Sequence, residues 1–141
     1  MLDREKLTEL AEAAIGARKF SYAPYSHFSV GAALLLASGE IVTGSNIENL
    51  SYPAGLCAER VAIFAAAAKG HRTFRAIAVS GGKEGQEPDD FCLPCGMCLQ
   101  AMTEFCSPDF EVDIVKNEKE IARYTLADLL PHAFKIGRAH V

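Results

Sequence analysis

The sequence predicts an α/β protein, a three-layer α/β/α sandwich built on a mixed five-stranded sheet. Three observations carry this. Helix-like and strand-like patterns follow one another as α-β-β-α-β-α-β-β-α along the 141 residues, and such a series builds one sheet with helices on its faces. The stretch "VGAALLLA" (30–37) is almost wholly apolar, as a strand is when both its faces are covered. Two helical segments, 57–70 and 95–106, each follow a strand and a loop, which places their N-termini at one edge of the sheet.

The elements can be justified in order. Leu7, Leu10, Ala11, Ala14 and Ile15 fall at helical spacing within 3–19, so this segment reads as an amphipathic helix. Its cap is open between Asp3 and Thr8. "SYAPYSHFS" (21–29) is a loop, with Pro24 turning Ala23 away from helix. Residues 30–37 and 40–47 read as a β-hairpin with a two-residue turn at Ser38-Gly39. After the loop 49–55, "CAERVAIFAAAAKG" (57–70) is an Ala-rich helix stopped by Lys-Gly. "FRAIAVSG" (74–81) alternates as a strand and ends at a glycine pair. The polar 82–91 is a surface loop, and Pro94 precedes the helix 95–106. Strands follow at 110–116 and 120–125, and "LADLLPHAF" (126–134) closes in a short helical turn near Pro131.

Chain length and composition suit one domain, 1–134. The tail "KIGRAHV" (135–141) shows no apolar period or packing role, and in one frame it matches the translation of a common sequencing-adapter oligonucleotide. It reads as a non-native end or as an ordinary unstructured tail.

A net charge of −4 with no basic stripe argues against a nucleic-acid partner. The N-terminus is charged and lacks a signal-like apolar core, and no apolar run is long enough to cross a bilayer. A soluble, cytoplasmic protein is the expectation. Five cysteines, an odd number with C-x-x-C spacing, favour metal or redox chemistry over a disulfide framework.

Four of those five cysteines lie in "LCAERVAIF" (56–64) and "CLPCGMC" (92–98). Cys95 and Cys98, at i and i+3, face one side of a helical turn. Cys57 begins the other helix, and helix N-termini favour thiolates. Three thiolates suit a tetrahedral Zn²⁺ with one position left for water, the mark of a catalytic site. Glu59 need not bind the metal, and a free carboxylate there can move protons. Attack on an amidine-like ring carbon, with ammonia leaving, fits this set. Zn²⁺ with three thiolates carries net negative charge, which Arg60 and the helix dipoles would offset.

The motifs "PYSHFSVGAAL", "GSNIEN", "CAER", "PCGMC" and "LLPHAF" occur in this order over nearly the whole chain. Together they resemble the small zinc-dependent cytidine deaminases of the homotetrameric kind, a class whose zinc-and-glutamate chemistry is well understood. The resemblance implies a nucleoside substrate, cytidine or deoxycytidine, one zinc per chain and composite sites in a homotetramer. It implies that Cys57, Cys95 and Cys98 hold the zinc, that Glu59 shuttles protons, and that Arg60 contacts the thiolates. The Ala58 backbone would read the pyrimidine carbonyl, and Phe28 would pack on the base. Asn46 and Glu48 would bind the ribose hydroxyls, an assignment that their i, i+2 spacing suits, since both side chains then share a direction. Phe134 would reach a neighbouring subunit's site, and Tyr52 would sit near a subunit boundary. The chain departs from the common pattern at Leu99, usually Arg, at Met97, usually small, and at Cys92, usually aliphatic.

Plainer readings stand beside these. Cys92 makes C-x-x-C-x-x-C, so a closed four-sulfur site is the rival, although Pro94 argues that Cys92 points into the core. Glu59 alone reads as a first-turn acid, and Arg60 as a surface cation. Asn46 and Glu48 read as loop polars, and Phe28 and Tyr52 as core. Cys106 reads as core or partly exposed, and His27 as a pocket-mouth residue. The competing functions are a deaminase of a modified cytosine nucleoside of the blasticidin type and a noncatalytic zinc-stabilised relative.

Overall fold

The structure, a computed structural model, describes residues 1–135; the end of the suspected tail, 136–141, lies outside the described residues. The elements are α1 (Arg4–Ala17), β1 (Phe28–Leu36), β2 (Ile41–Ser45), α2 (Ala58–Ala68), β3 (Phe74–Lys83), α3 (Gly96–Phe105), β4 (Glu111–Val115), β5 (Ile121–Thr125) and α4 (Leu126–Leu129). This is the expected order. Asp3 is the cap of α1, its carboxylate accepting from Lys6 N at 2.8 Å, a contact that contributes ~1 kcal/mol in most helices.

The sheet runs β2-β1-β3-β4-β5. Only β3 and β4 pair in parallel; the other neighbours are antiparallel. The sheet is therefore mixed and five-stranded, as expected. Alternate residues of β1 feed two cores. Ala32, Leu34 and Leu36 pack with Ala62 and Ile63 of α2 and Met102 of α3. Ala33 and Leu35 pack with Leu7, Leu10 and Ala14 of α1. So α1 covers one face and α2, α3 and α4 the other, which completes the three layers. Each fully buried Leu or Ile here contributes roughly 1.5–3 kcal/mol.

Three boundaries differ from expectation. The hairpin loop is three residues, Ala37–Gly39, because Leu36 N donates to Glu40 O at 2.9 Å and Gly39 takes φ 95°. A three-residue hairpin needs such a left-handed last position. Strand β1 starts at Phe28, inside the expected loop, and β3 runs through Gly81 and Gly82 to Lys83. These two extensions have one cause, since Phe28 pairs with Lys83 and Val30 with Gly81. The glycines leave room for crossing chain rather than ending the strand. A Cβ on Gly81 would lie 2.6 Å from Cys92 Sγ.

The directions of the strands place the site. Because β2, β3 and β4 run the same way, α2 leaves the C-terminal end of β2 and α3 that of β3. Both helices therefore begin at one edge. Gly44 lets α2 lie close on the sheet: a Cβ there would stand 2.4 Å from Ala58 O and 2.6 Å from Ala62 N.

Candidate active site

Cys57 is the residue before α2, and Cys95 the residue before α3. Neither side chain caps its helix, so both thiols are free to turn toward each other. Cys98 lies one turn into α3 and is fully buried. The Sγ atoms of Cys57 and Cys95 are 3.8 Å apart, and those of Cys95 and Cys98 3.6 Å. All three sulfurs lie within 4.8 Å of one another. A tetrahedral zinc with Zn–S near 2.3 Å spaces its sulfurs roughly 3.8 Å apart. The residues fit the metal.

Cys92 stands apart from this group among the described residues. Its thiol packs against Gly81, beside the Phe28 ring, and burial pushes it up to about 11. The four-sulfur rival therefore has no fourth sulfur. The Cys57 thiol behaves oppositely. Hydrogen bonding from Cys98, helped by Arg60 and Cys95, holds it down at about 5. Cys98 is pushed far up by its bond to Cys57 and by burial. Arg60 Nη2 donates to Cys57 Sγ at 3.4 Å. Burial alone would lower Arg60, but its bonds to Cys57 and Cys98 raise it, so Arg60 is a thiolate partner and not a surface cation.

Glu59 is 4% exposed, next to Ala58 in the first turn of α2. Burial pushes its carboxyl up to about 7, and the Cys57 charge adds to this. A carboxyl near neutrality suits proton transfer in both directions. Ala58 is fully buried and opens α2, where a helix leaves backbone N–H groups without internal partners.

Beside the thiols lies a pocket of about 460 Å³, lined among others by Asn46, Glu48, Tyr52, Cys57 and Arg60. This volume lies within the range of small-molecule sites. Asn46 and Glu48 both line this pocket, but neither is a free loop polar. Asn46 Oδ1 accepts from Val30 N at 2.9 Å and from the Ser21 hydroxyl, and its Nδ2 donates to Phe28 O at 2.8 Å. Glu48 accepts from Tyr25 N and Ser26 N, each at 3.1 Å, and from the Ser26 hydroxyl. The Ser26 hydroxyl bond holds its carboxylate below its usual range. What remains is one N–H on Asn46 and spare lone pairs on Glu48, a free donor beside a free acceptor.

Phe28 is 37% exposed and packs over Gly81. Tyr52 is 77% exposed on the pocket rim. Phe134 stands elsewhere, in a separate cavity of about 440 Å³ between the end of α3 and the residues after α4. Within one chain the structure does not bring it to the thiols. His27 does not line the pocket; it takes φ 57° and faces Glu84 at 3.5 Å. Leu99 is 7% exposed in the core, which leaves no site for an exposed cation at its position. Cys106 is partly buried against the same core.

Residues 4–112 match the family described as the cytidine and deoxycytidylate deaminase zinc-binding region. This chain belongs to that family. It is 43% identical over 133 residues to a cytidine deaminase of Halalkalibacterium halodurans, covering 94% of this chain and 95% of that one. A cytidine deaminase of Sporosarcina psychrophila is 44% identical over 94% of this chain and 92% of its own. Among solved structures, the cytidine deaminase of Burkholderia pseudomallei superposes with a TM-score of 0.81 at 44% identity, over 89% of this chain and 97% of that one. A blasticidin-S deaminase of Bacillus cereus is more distant, 32% identical over 87% of this chain. The expected family, fold and zinc chemistry all hold. No helix among the described residues is long and apolar enough to cross a membrane.

Reasoning from sequence missed Ser21 and Ser26. Their signal was present, since both hydroxyls stand in the turn-rich stretch that precedes β1.

Proposed function

We propose that this chain hydrolyses cytidine and deoxycytidine to uridine and deoxyuridine plus ammonia, as part of pyrimidine salvage in the cytoplasm. The observation that carries the reading is Glu59, a buried carboxyl near neutrality that stands two residues from Cys57 without joining the thiol cluster. Residues 1–134 form the proposed catalytic unit.

Cys57, Cys95 and Cys98 would hold one zinc per chain, which when bound would supply Lewis-acid activation of water for attack at the pyrimidine carbon that bears the amine. Glu59 takes one proton from the attacking water and delivers it to the ring nitrogen, then takes the remaining proton from that oxygen, now bound to the ring carbon, and delivers it to the departing amine, which leaves as ammonia while the oxygen stays as the carbonyl. Arg60 offsets thiolate charge through Cys57. The Ala58 N–H donates to the pyrimidine carbonyl, and Phe28 packs on the base. Asn46 donates to a ribose hydroxyl that Glu48 accepts from. A free base would leave the remaining Asn46 N–H and the spare Glu48 lone pairs without their sugar partner, so the site should prefer the nucleoside to cytosine.

The proposed assembly is a homotetramer in which Phe134 completes a neighbour's site and Tyr52 lies at the boundary. Support comes from exposed apolar side chains on one chain: Phe20 at 69%, Leu50 at 79%, Tyr52 at 77% and Phe134 at 72%. A homotetramer would cover side chains of this kind at its subunit contacts.

The test is loss of ultraviolet absorbance on adding cytidine to purified protein, with zinc content measured on the same sample. Turnover at about one zinc per chain is expected. Zinc-loaded protein that leaves cytidine intact but consumes blasticidin S would move the reading to the modified nucleoside.

A further inference from the structure

Phe28 is held at both backbone ends by Asn46 and Ser26, two residues that line the pocket. At its carbonyl, Asn46 Nδ2 donates at 2.8 Å. At its amide, Phe28 N donates to Ser26 Oγ at 3.1 Å, and Ser26 Oγ in turn donates to Glu48 Oε2. The polarity of that chain is fixed. A serine hydroxyl has one proton; an ionised carboxylate takes it, which leaves only lone pairs for the Phe28 N–H.

The link is short and stiff. Between Ser26 and Phe28 stands His27 at φ 57°, a left-handed conformation that non-glycine residues keep only where their surroundings hold them. Its carbonyl accepts from Glu84 N at 2.8 Å, and its amide donates to Ala23 O at 3.0 Å. The His27 carbonyl and the Phe28 N–H share one peptide plane, which Glu84 N holds on one side and Ser26 Oγ on the other. The ring of Phe28 then lies over Gly81 beside Cys92.

We propose that Ser26 is a positioning residue for this deaminase, which ties the carboxylate that recognises the sugar to the aromatic ring that packs on the base. This rests on the reading of Glu48 and Phe28 as substrate contacts. Ser26 touches neither Glu59 nor the three thiols, so its effect falls on binding. Sugar engagement at Glu48 and ring placement at Phe28 become one cooperative unit.

The test compares Ser26→Thr with Ser26→Val, two side chains of nearly one shape that differ in the hydroxyl. Ser26 is solvent-exposed, so both have room. Zinc content and far-ultraviolet circular dichroism are measured beside steady-state kinetics with cytidine. The expected result is a wild-type-like KM in Ser26→Thr and a KM at least ~10-fold higher in Ser26→Val, the scale of one charge-assisted hydrogen bond. The kcat should stay within about twofold in both, as for loss of binding shared by ground and transition states. In a Glu48→Ala background the Thr/Val difference should shrink below about twofold, because the partner is gone.

Equal KM values in Thr and Val overturn the inference. So does a difference that survives undiminished in the Glu48→Ala background. Phe28→Ala and Glu48→Ala separate this from failure of the binding reading. If both raise KM while Thr and Val match, only the role of Ser26 falls. If neither raises KM, the substrate contacts fall first and the role of Ser26 with them.

Discussion

Asn46 spans the first ladder positions of β1, its side-chain amide bonded to Phe28 O at 2.8 Å and to Val30 N at 2.9 Å. One side chain thus adds to the strand pairing and fixes the backbone on either side of Ser29, from Phe28 to Val30. Asn46→Ala should lose both functions. Removing it leaves Val30 N–H and Phe28 C=O without their partner, at ~1–3 kcal/mol each where water cannot enter. Expected outcomes are a lower melting temperature and a raised KM together. An Asn46→Ala protein with wild-type melting would show that the amide is not structural.

Glu59→Gln separates chemistry from structure. The amide has the same shape but cannot carry the proton. The kcat should fall by about 10²–10⁴, while zinc content and melting temperature stay near wild type. Mild loss of activity in a zinc-loaded variant would remove Glu59 from the mechanism.

Cys57 links the metal to the start of α2. Cys57→Ser should bind zinc poorly and lose activity in parallel, since sulfur and not oxygen suits this metal. Chelation of the wild type should lower its melting temperature, and added zinc should restore it by mass action. Unchanged melting after complete zinc removal would deny the metal a part in stability.

Gly44 is the position where α2 comes nearest the sheet. Gly44→Ala forces a Cβ against Ala58 O and Ala62 N, both backbone, so the helix must move. The expected cost is about 1–3 kcal/mol, with weaker zinc affinity because Cys57 moves with the helix. Zinc titration against a competing chelator reads the second effect. Wild-type affinity would mean that the helix start is not set by this contact.

Asp113 makes the stability depend on pH. It is fully buried between neighbours in the sheet, and neither carboxyl oxygen has a hydrogen-bond partner among the described residues. Arg123 Nε lies 3.7 Å away, but that arginine bonds Glu111 at 2.7 Å. Burial, and then Glu111, push Asp113 up to about 8 from an ordinary 3.8. The folded state therefore keeps a proton that the unfolded state loses above pH 4. Its contribution to stability falls as pH rises through that window and levels off beyond about 8. Glu111 is held below its usual range, so its own contribution is lost at acid pH instead. Asp113→Asn should become more stable relative to wild type as pH goes from 5 to 8.5. The difference in melting temperature should grow by several degrees, at roughly 3–5 °C for each ~1 kcal/mol. A constant difference across that range would show that Asp113 is ionised throughout.

Much of this molecule was legible along the chain. The apolar run 30–37 announced a strand with two covered faces, and β1 does feed both cores. The spacing of Cys57, Cys95 and Cys98 announced the cluster, because i, i+3 thiols on a helix share a face and a helix start favours thiolate. Strand ends were less legible. The glycine pair at 81–82 looked like a stop, yet it is where β3 makes room for Cys92 and the chain at Pro88. A local pattern cannot distinguish a glycine that breaks a strand from one that lets another segment cross it.

By itself, the sequence determined element order, the two-sided burial of β1 and the grouping of three cysteines, which depend on periodicity or on local spacing, while the family followed from the resemblance of its ordered motifs. Tertiary structure decided the rest. Only the pairing of β1 with β3 carried Phe28 into the sheet, and only the path of loop 21–27 brought Ser26 between Glu48 and the Phe28 amide. Cys92 could be told from the ligands only when its thiol was seen against Gly81. These are contacts between residues far apart in the chain, set by packing geometry, and a hydrogen bond has no signature in sequence until the fold has placed its donor and acceptor within about 3 Å of one another.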